Sequence, residues 1–442
     1  MSAAGTPEYQ ETKVGRIPCD WLASSLGNEV EAIVGGGTPS KDVPEYWGGE
    51  IPWASVKDFV GTRLSRTEDY ITAKAVNESS TNLIPAGTLI TPTRMALGRV
   101  AFFDCDVAIN QDLKAIFPKQ SLAKEFLFYW FQSNAETIEA SGTGSTVKGI
   151  RLELLRGFGL ALPPRHEQQK IAAILKAVDD KLDVINLQIE ATKALKKGLM
   201  QTLFSRGVGT QDATGRWVPH SEFKESELGE IPEGWLITTL GGICNGALQT
   251  GPFGSQLHAA EYQDEGIPVL MPKDLLKCRA NLSTAARIAP ERAEELAKHK
   301  LVAGDLLFSR RGDVARFALI DEQSAGALCG TGCLKAKPSE GHSSAYIAHL
   351  LQLDVVRAWL EQNAVGQTMP NMNTAILASL PLVTPANKQE QEAIADILDS
   401  VDAKTGLLFS KQLHFQTLKR GLMQKLLTGE WRVKLDSPSD TA

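Results

Sequence analysis

No apolar stretch in this 442-residue chain approaches the roughly 18–20 residues that span a bilayer. Its opening, Met1 to Lys13, is polar and holds no signal-peptide core. A cytoplasmic protein without membrane contact is expected. Closely paired cysteines are scarce as well. Cys19, Cys105, Cys244, Cys278, Cys329 and Cys333 lie scattered, and only the last two are near neighbours, with three residues between them. A zinc ribbon needs two tight pairs, and the seven histidines show no matching spacing, so no metal site is expected. The cysteines read as small, partly buried residues of a reducing compartment. Surplus positive charge is also missing: Lys plus Arg total 46 against 52 for Asp plus Glu, a net charge of −6. Lone DNA-binding domains often have a pI above about 9, so this balance argues against a stand-alone, high-affinity DNA binder.

What is present is ordinary globular composition, 43% hydrophobic and 22% charged, at a length that suits two or three domains. The chain is also written twice. Gly15-Arg-Ile-Pro18-Cys-Asp-Trp21 recurs as Gly229-Glu-Ile-Pro232-Glu-Gly-Trp235. Ile51-Pro52 with Lys57-Asp58 recurs as Ile267-Pro268 with Lys273-Asp274. Gly87-x-Leu89 with Arg94 and Arg99 recurs as Gly304-x-Leu306 with Arg311 and Arg316, then Gly144-x-Thr146 as Gly366-x-Thr368, and Glu167-Gln168 as Glu390-Gln391. The offset between partners only grows along the chain. A collinear duplication with small insertions gives this drift, whereas chance matches scatter in both directions.

Each half opens with about 150 residues of mixed signals. Short apolar runs such as Thr88-Leu-Ile-Thr91, Val100-Ala-Phe-Phe103 and Asp305-Leu-Leu-Phe308 suit strands. Ser121 is read as opening an amphipathic helix with Leu122, Phe126, Tyr129 and Trp130, and its counterpart begins near Ser343. Each half closes with a long helix, with Pro164 and Pro385 near the starts, where proline is tolerated. Ile171, Leu175, Val178, Leu182, Ile185 and Ile189 alternate steps of four and three; Ile394, Leu398, Val401 and Leu408 follow the same seam, with Thr405 completing it. This a/d pattern predicts that the two helices pack on each other. Residues 205–228, polar and glycine-containing, read as a linker or extended arm, and Asp436 to Ala442 as a frayed end.

Three further features carry a resemblance. Gly36-Gly-Thr-Pro-Ser-Lys41 is followed by Tyr46-Trp-Gly-Gly-Glu-Ile-Pro-Trp53, and Gly251-Pro-Phe-Gly-Ser255 occupies the matching place in the second half. Each long helix is introduced by a proline, then Glu-Gln, then Ile-x-x-Ile-Leu-x-x-Val-Asp. In this order the set resembles the specificity subunits of type I restriction–modification enzymes, over nearly the whole chain. The proline-to-glutamate step departs between copies, three residues from Pro164 to Glu167 but five from Pro385 to Glu390.

The resemblance implies an α+β protein: two similar α+β target-recognition domains separated by two long antiparallel coiled-coil helices, a pseudo-two-fold internal repeat. The divisions are 1–163 for the first recognition domain, 164–206 for the first spacer helix, 207–228 for the linker, 229–384 for the second recognition domain, 385–431 for the second spacer helix and 432–442 for the tail. It further implies a non-catalytic reader of a bipartite, asymmetric site in double-stranded DNA. Two methyltransferase subunits dock on the frame and restriction/translocase subunits join them; S-adenosylmethionine, ATP and Mg belong to those partners. Two similar domains in one chain match duplex pseudo-symmetry, and their divergence lets the half-sites differ.

Phosphate contacts need Lys, Arg or polar donors, and base reading favours Arg, Lys, Asn and Gln. On that chemistry the candidates in the first domain are Lys41, Lys57, Arg94, Arg99, Asn110, Gln111, Lys148 and Arg151. In the second they are Gln256, Lys273, Arg310, Arg311, Arg316, Asn371 and Asn373. The pairs Arg94/Arg311 and Arg99/Arg316 stand out because both copies keep them in divergent surroundings; their bland reading is surface charge or structural ion pairing, and Asn110-Gln111 also suits a plain turn. Gly142-Thr-Gly144-Ser-Thr-Val-Lys148-Gly149 lacks the Gly-Lys-Ser/Thr ending of a phosphate loop. Two other functions compete. A self-contained DNA methyltransferase needs an Asn/Asp-Pro-Pro-aromatic clamp, and Leu162-Pro-Pro-Arg165 lacks both flanking features. A pure scaffold joins proteins without reading DNA.

Overall fold

The computed structural model describes residues 8–144, 147–226, 229–252, 256–366 and 370–434. Thr146, Thr368, Phe253 to Ser255 and the segment from Asp436 to Ala442, all used above, lie outside the described residues. The chain divides into two compact units, Met1–Leu187 with Ser410–Ala442, and Gln188–Phe409. Each unit therefore contains one globular domain, the start of one long helix and the end of the other.

Among the described residues, the first unit carries a five-stranded sheet in the order Val30–Gly35, Leu113–Pro118, Leu89–Pro92, Ala101–Phe103 and Arg63–Leu64. A four-stranded sheet runs Asp69–Ile71, Trp47–Ala54, Val107–Ile109, Asn82–Ile84. The second unit repeats the plan. Leu248–Thr250, Cys333–Ala336, Leu306–Ser309, Phe317–Leu319, Cys278–Ala280 and Leu275–Leu276 form one sheet. Ala286–Ile288, Ile267–Leu270 and Leu328–Cys329 form the other. Both copies keep the same parallel pairing, Phe102 opposite Arg63 and Leu319 opposite Arg279. The apolar runs expected to be strands fall on Leu89–Pro92, Ala101–Phe103 and Leu306–Ser309.

The long helices are Arg165–Arg206 and Lys388–Leu427. Pro385 ends the strand Pro381–Pro385 instead of opening the second helix, which accounts for the longer step to Glu390. Of the expected seam, Ile171, Leu175, Val178, Ile185, Ile189, Ile394, Leu398, Val401 and Leu408 are buried, and Leu182 is half-buried. The antiparallel pairing shows within each unit. In the first, Ile171 and Leu175 share a core with Met423, Leu426 and Leu427, and the Lys419 ammonium meets Asp179 at 2.7 Å. In the second, Ile394 and Leu398 share a core with Leu203 and Phe204, and Lys196 meets Asp402 at 2.8 Å. The seam residues nearest each helix start are thus also domain core. Burying such side chains supplies about 1.5–3 kcal/mol each before the ordering cost.

The Glu-Gln dipeptides that mark the helix starts are what tie helix to domain. The Gln168 carboxamide accepts from the Ala123 amide at 2.7 Å and donates to the Ser121 and Pro163 carbonyls, each at 2.8 Å. It thereby satisfies the exposed amide end of a helix that spans Lys124–Ser133, three residues later than Ser121. Gln391 does the same for the Ser343 amide at 2.9 Å, ahead of Ser344–Leu350. The segment expected to be a linker carries one strand pair of its own, Thr210–Gln211 with Trp217–Val218, and pairs Phe223–Lys224 with Ile231–Pro232 of the second domain. It also packs on the second unit, where the Val208 and Gly209 amides donate to Glu390 Oε1, each at 3.1 Å. All six cysteines are free thiols; Cys244, Cys329 and Cys333 are buried. No helix among the described residues is long and apolar enough to cross a membrane.

Candidate nucleic-acid interface

The loop that follows Val30–Gly35 lies against the turn after Val107–Ile109. A side chain at Gly36 would bring its Cβ to 1.8 Å from the Ile109 carbonyl oxygen, so only glycine permits the approach. The Gly37 amide then donates to Ile109 O at 3.0 Å, and the Trp53 indole donates to the Gly37 carbonyl at 3.1 Å. In the second unit Gly251 has the same role, since a Cβ there would meet the Gly330 carbonyl oxygen at 1.9 Å. These contacts explain Gly36-Gly-Thr-Pro-Ser and the glycine that opens its counterpart.

Further loops join this corner through bonds of long sequence separation. Arg94 bridges to Gly149, and the Met95 amide donates to the Lys148 carbonyl at 2.9 Å. The Thr93 amide donates to the Asp112 carbonyl at 2.7 Å, while Gln111 Oε1 accepts from the Thr38 hydroxyl at 2.7 Å. The turn Asn110-Gln111 and the loops bearing Arg94 and Lys148 thus converge beside the loop that ends in Lys41. In the second unit Arg311 bridges to Asn371, and the Met372 amide donates to the Arg310 carbonyl at 2.8 Å. The Arg310 amide donates to Gly332 O at 2.8 Å, which adds the turn between Leu328–Cys329 and Cys333–Ala336.

Within this corner Lys41, Arg94, Gln111 and Lys148 are exposed, as is Arg311 in the second unit. Among the described residues Arg94 has a single long ion pair, to Asp112 at 3.6 Å. Among the described residues, Arg310 Nε and Asn371 Oδ1 are buried with no hydrogen-bond partner. Most of the remaining candidates are engaged otherwise. Lys57 meets Glu68 at 2.8 Å and Asp69 at 2.9 Å, and Asp69 foremost, then Glu68, raises its pKa. The Arg99 guanidinium donates to the Phe59 carbonyl at 2.8 Å, and Arg316 donates to Pro272 O at 3.2 Å and lies 3.4 Å from Asp313. The duplicated arginines Arg99 and Arg316 therefore both tie a strand end to a short turn, Val56–Asp58 or Pro272–Asp274. Asn110 Oδ1 accepts from the Asp112 amide at 3.1 Å, and Asn373 Oδ1 caps a helix through the Ile376 amide at 2.8 Å. Arg151 is exposed just before Leu152–Gly157, and Lys273 is exposed on its turn. Gln256 is half-buried, and its carbonyl accepts from Arg292.

Two residues at the corner were passed over in the sequence. Thr38 holds Gln111, and the Lys114 ammonium donates to the Gln111 carbonyl at 2.6 Å, its pKa lowered by burial. A lysine three residues after Gln111 was the available signal. Thr143 and Gly149 exchange two 2.9 Å backbone bonds, next to the exposed Lys148.

Two divergent copies of one α+β framework, each with a cationic loop corner, define a bipartite recognition protein. Residues 18–192 and 232–413 match the type I restriction modification DNA specificity domain. The chain belongs to that family, with two copies of its domain. It is 24% identical over 440 residues to the type I restriction enzyme MjaVIII specificity subunit of Methanocaldococcus jannaschii, covering 96% of each. It is 30% identical over 282 residues to the MjaIX specificity subunit of the same organism, a match spanning 61% of both chains. Among solved structures, the type I restriction–modification S subunit from M. genitalium shares its fold, with a TM-score of 0.59 at 17% identity over 98% of this chain and 100% of that one.

Proposed function

We propose that this chain reads a bipartite, asymmetric double-stranded DNA target, one half-site per globular domain, as the specificity subunit of a type I restriction–modification assembly. The observation that carries the reading is the loop corner built twice on one framework with different side chains. Arg94, Gln111 and Lys148 stand at the first; Arg310, Arg311 and Asn371 stand at the second. Arg and Lys pair with phosphates or guanine, and Asn and Gln pair with adenine, so each corner carries side chains suited to reading a half-site, set on different loop sequences.

The chain contributes recognition and no catalytic group. Adenine methylation and DNA cleavage come from two methyltransferase subunits and the restriction/translocase subunits, which bring S-adenosylmethionine, ATP and Mg, in the cytoplasm. The overall charge of −6 fits a reader that relies on those partners for much of its phosphate contact. Apolar side chains left exposed on the long helices offer docking area: Val184, Leu187, Leu413 and Leu418 on the first unit, Leu195, Leu407 and Phe409 on the second.

Footprinting of the assembled methyltransferase complex tests the reading. Two protected clusters of unequal sequence separated by unread base pairs are expected. A single continuous footprint, or none, overturns it.

A further inference from the structure

A groove of about 900 Å³ in the first unit lies between the edge strand Arg63–Leu64 and the first long helix. Phe102 and Phe128, tilted against each other with centroids 5.2 Å apart, form its apolar wall, and Val60 stands at its rim 87% exposed. The opposite lip is acidic. Lys419 neutralises Asp179 at 2.7 Å, Lys176 neutralises Asp180 at 2.6 Å, and Arg63 faces Asp104 at 3.6 Å. Glu125 and Asp183 also line the groove, and among the described residues neither makes an ion pair.

The duplication supplies an internal comparison. Strand register equates Ala101 with Ala318, and the shared glutamine cap equates Ala123 with Ser343. The aromatic wall Phe102 and Phe128 then becomes Leu319 and Ala348, and the acids Glu125, Asp180 and Asp183 become Ala345, Ala403 and Gly406. Gly61-Thr62 at the rim becomes Lys277-Cys278, a turn at positive φ of 50° and 61° whose lysine lies 5.8 Å from the Phe409 ring of the second long helix. The framework is shared, yet the aromatic wall and the unpaired acids belong to the first copy alone.

We infer that this groove docks a segment of a partner subunit in which an apolar side chain is flanked by lysine or arginine. The apolar side chain enters against Phe102 and Phe128, and the basic residues meet Glu125 and Asp183. Nucleic acid does not suit the groove, because its phosphates would face those unpaired carboxylates. Docking through it is asymmetric: one partner copy gains a contact that the second unit does not offer. The inference rests on the reading of the chain as a subunit of a larger assembly.

The test uses the full chain co-expressed with its methyltransferase partner. Glu125→Lys combined with Asp183→Lys reverses two exposed charges, and like-charge contacts cost several kcal/mol. Affinity for one partner copy is expected to fall by at least about tenfold, seen by native mass spectrometry as a complex lacking one subunit at dilution. Ala403→Lys, at the counterpart of Asp180, is expected to leave the composition unchanged. A benzophenone attached at Val60→Cys is expected to crosslink to a basic, apolar-containing peptide of the partner. An unchanged composition in the charge-reversed variant, or crosslinks to DNA alone, overturns the inference. Footprinting of the parent complex separates the two ideas: a bipartite footprint with no loss of partner leaves the DNA-reading function standing and sinks the groove, and the converse pattern does the opposite.

Discussion

The Trp21 indole donates to Glu167 Oε2 at 3.0 Å across 146 positions of sequence, and Trp235 donates to Glu390 Oε2 at 3.2 Å in the second unit. Both carboxylates are almost fully buried, at 1% and 3% exposure. Their second partners differ. Arg432, itself paired with Asp20, lies 2.8 Å from Glu167, and His220 Nε2 lies 2.9 Å from Glu390. In each unit the residues that follow one long helix are fixed to the glutamate that opens the other, which makes the Glu-Gln motif a joint as well as a marker.

Glu167→Ala takes the acceptor from the buried Trp21 indole and one of two carboxylate partners from Arg432, which keeps Asp20, and is expected to cost about 2 kcal/mol. Trp21→Phe removes one neutral donor and is expected to cost about 1 kcal/mol. Urea unfolding followed in the first unit by hydrogen exchange checks both. Equal, small losses would show that Glu167 does not hold Arg432.

The two arginines of the first domain that the duplication singles out are expected to separate. Arg94→Ala is expected to leave thermal stability unchanged, weaken DNA binding by the complex and, if its contact is to phosphate, make the salt slope shallower by about one. Arg99→Ala loses the bond to the Phe59 carbonyl and is expected to lower stability by about 1 kcal/mol. Salt titrations of DNA affinity, paired with melting curves, read the difference. Identical behaviour of the two variants would contradict the placement.

Acid is expected to weaken the second unit first. Burial lowers the pKa of His299, and separately that of His342, below the ordinary histidine value of about 6.5. Below about pH 6.5 the unfolded chain takes up these protons more readily than the folded one, so stability is present above that value and is lost as pH falls through the folded values. Hydrogen exchange at pH 7.5 and 5.5 is expected to show faster opening of second-unit peptides at the lower pH. His299→Gln with His342→Gln is expected to flatten that dependence; an unchanged pH response in this variant would assign it to other groups.

Local and repeated features were legible in the sequence. The duplication, the strand runs at Leu89 and Leu306, and the seam from Ile171 to Ile189 follow from short-range periodicity. What escaped depends on distant partners. The helix begins at Lys124 rather than Ser121 because Gln168, on another element, supplies its cap. Of the conserved arginine pairs, Arg99 and Arg316 turn out to serve backbone carbonyls, which no spacing rule reveals. The corner that joins Arg94 to Gly149, or Arg311 to Asn371, is set by isolated bridges spanning more than fifty residues. Each compact unit takes part of both long helices, whereas a linear reading divides the chain where those helices start.

Two independent readers in one chain make a modular protein. Residues 1–163 replaced by the recognition domain of a relative, in the intact complex, should change one half-site and leave the other as it was. Methylome sequencing of cells carrying the parent and the exchanged chain measures this directly. The account predicts methylated targets that share the half-site read by the second domain and differ in the other. A simultaneous change in both half-sites would contradict it.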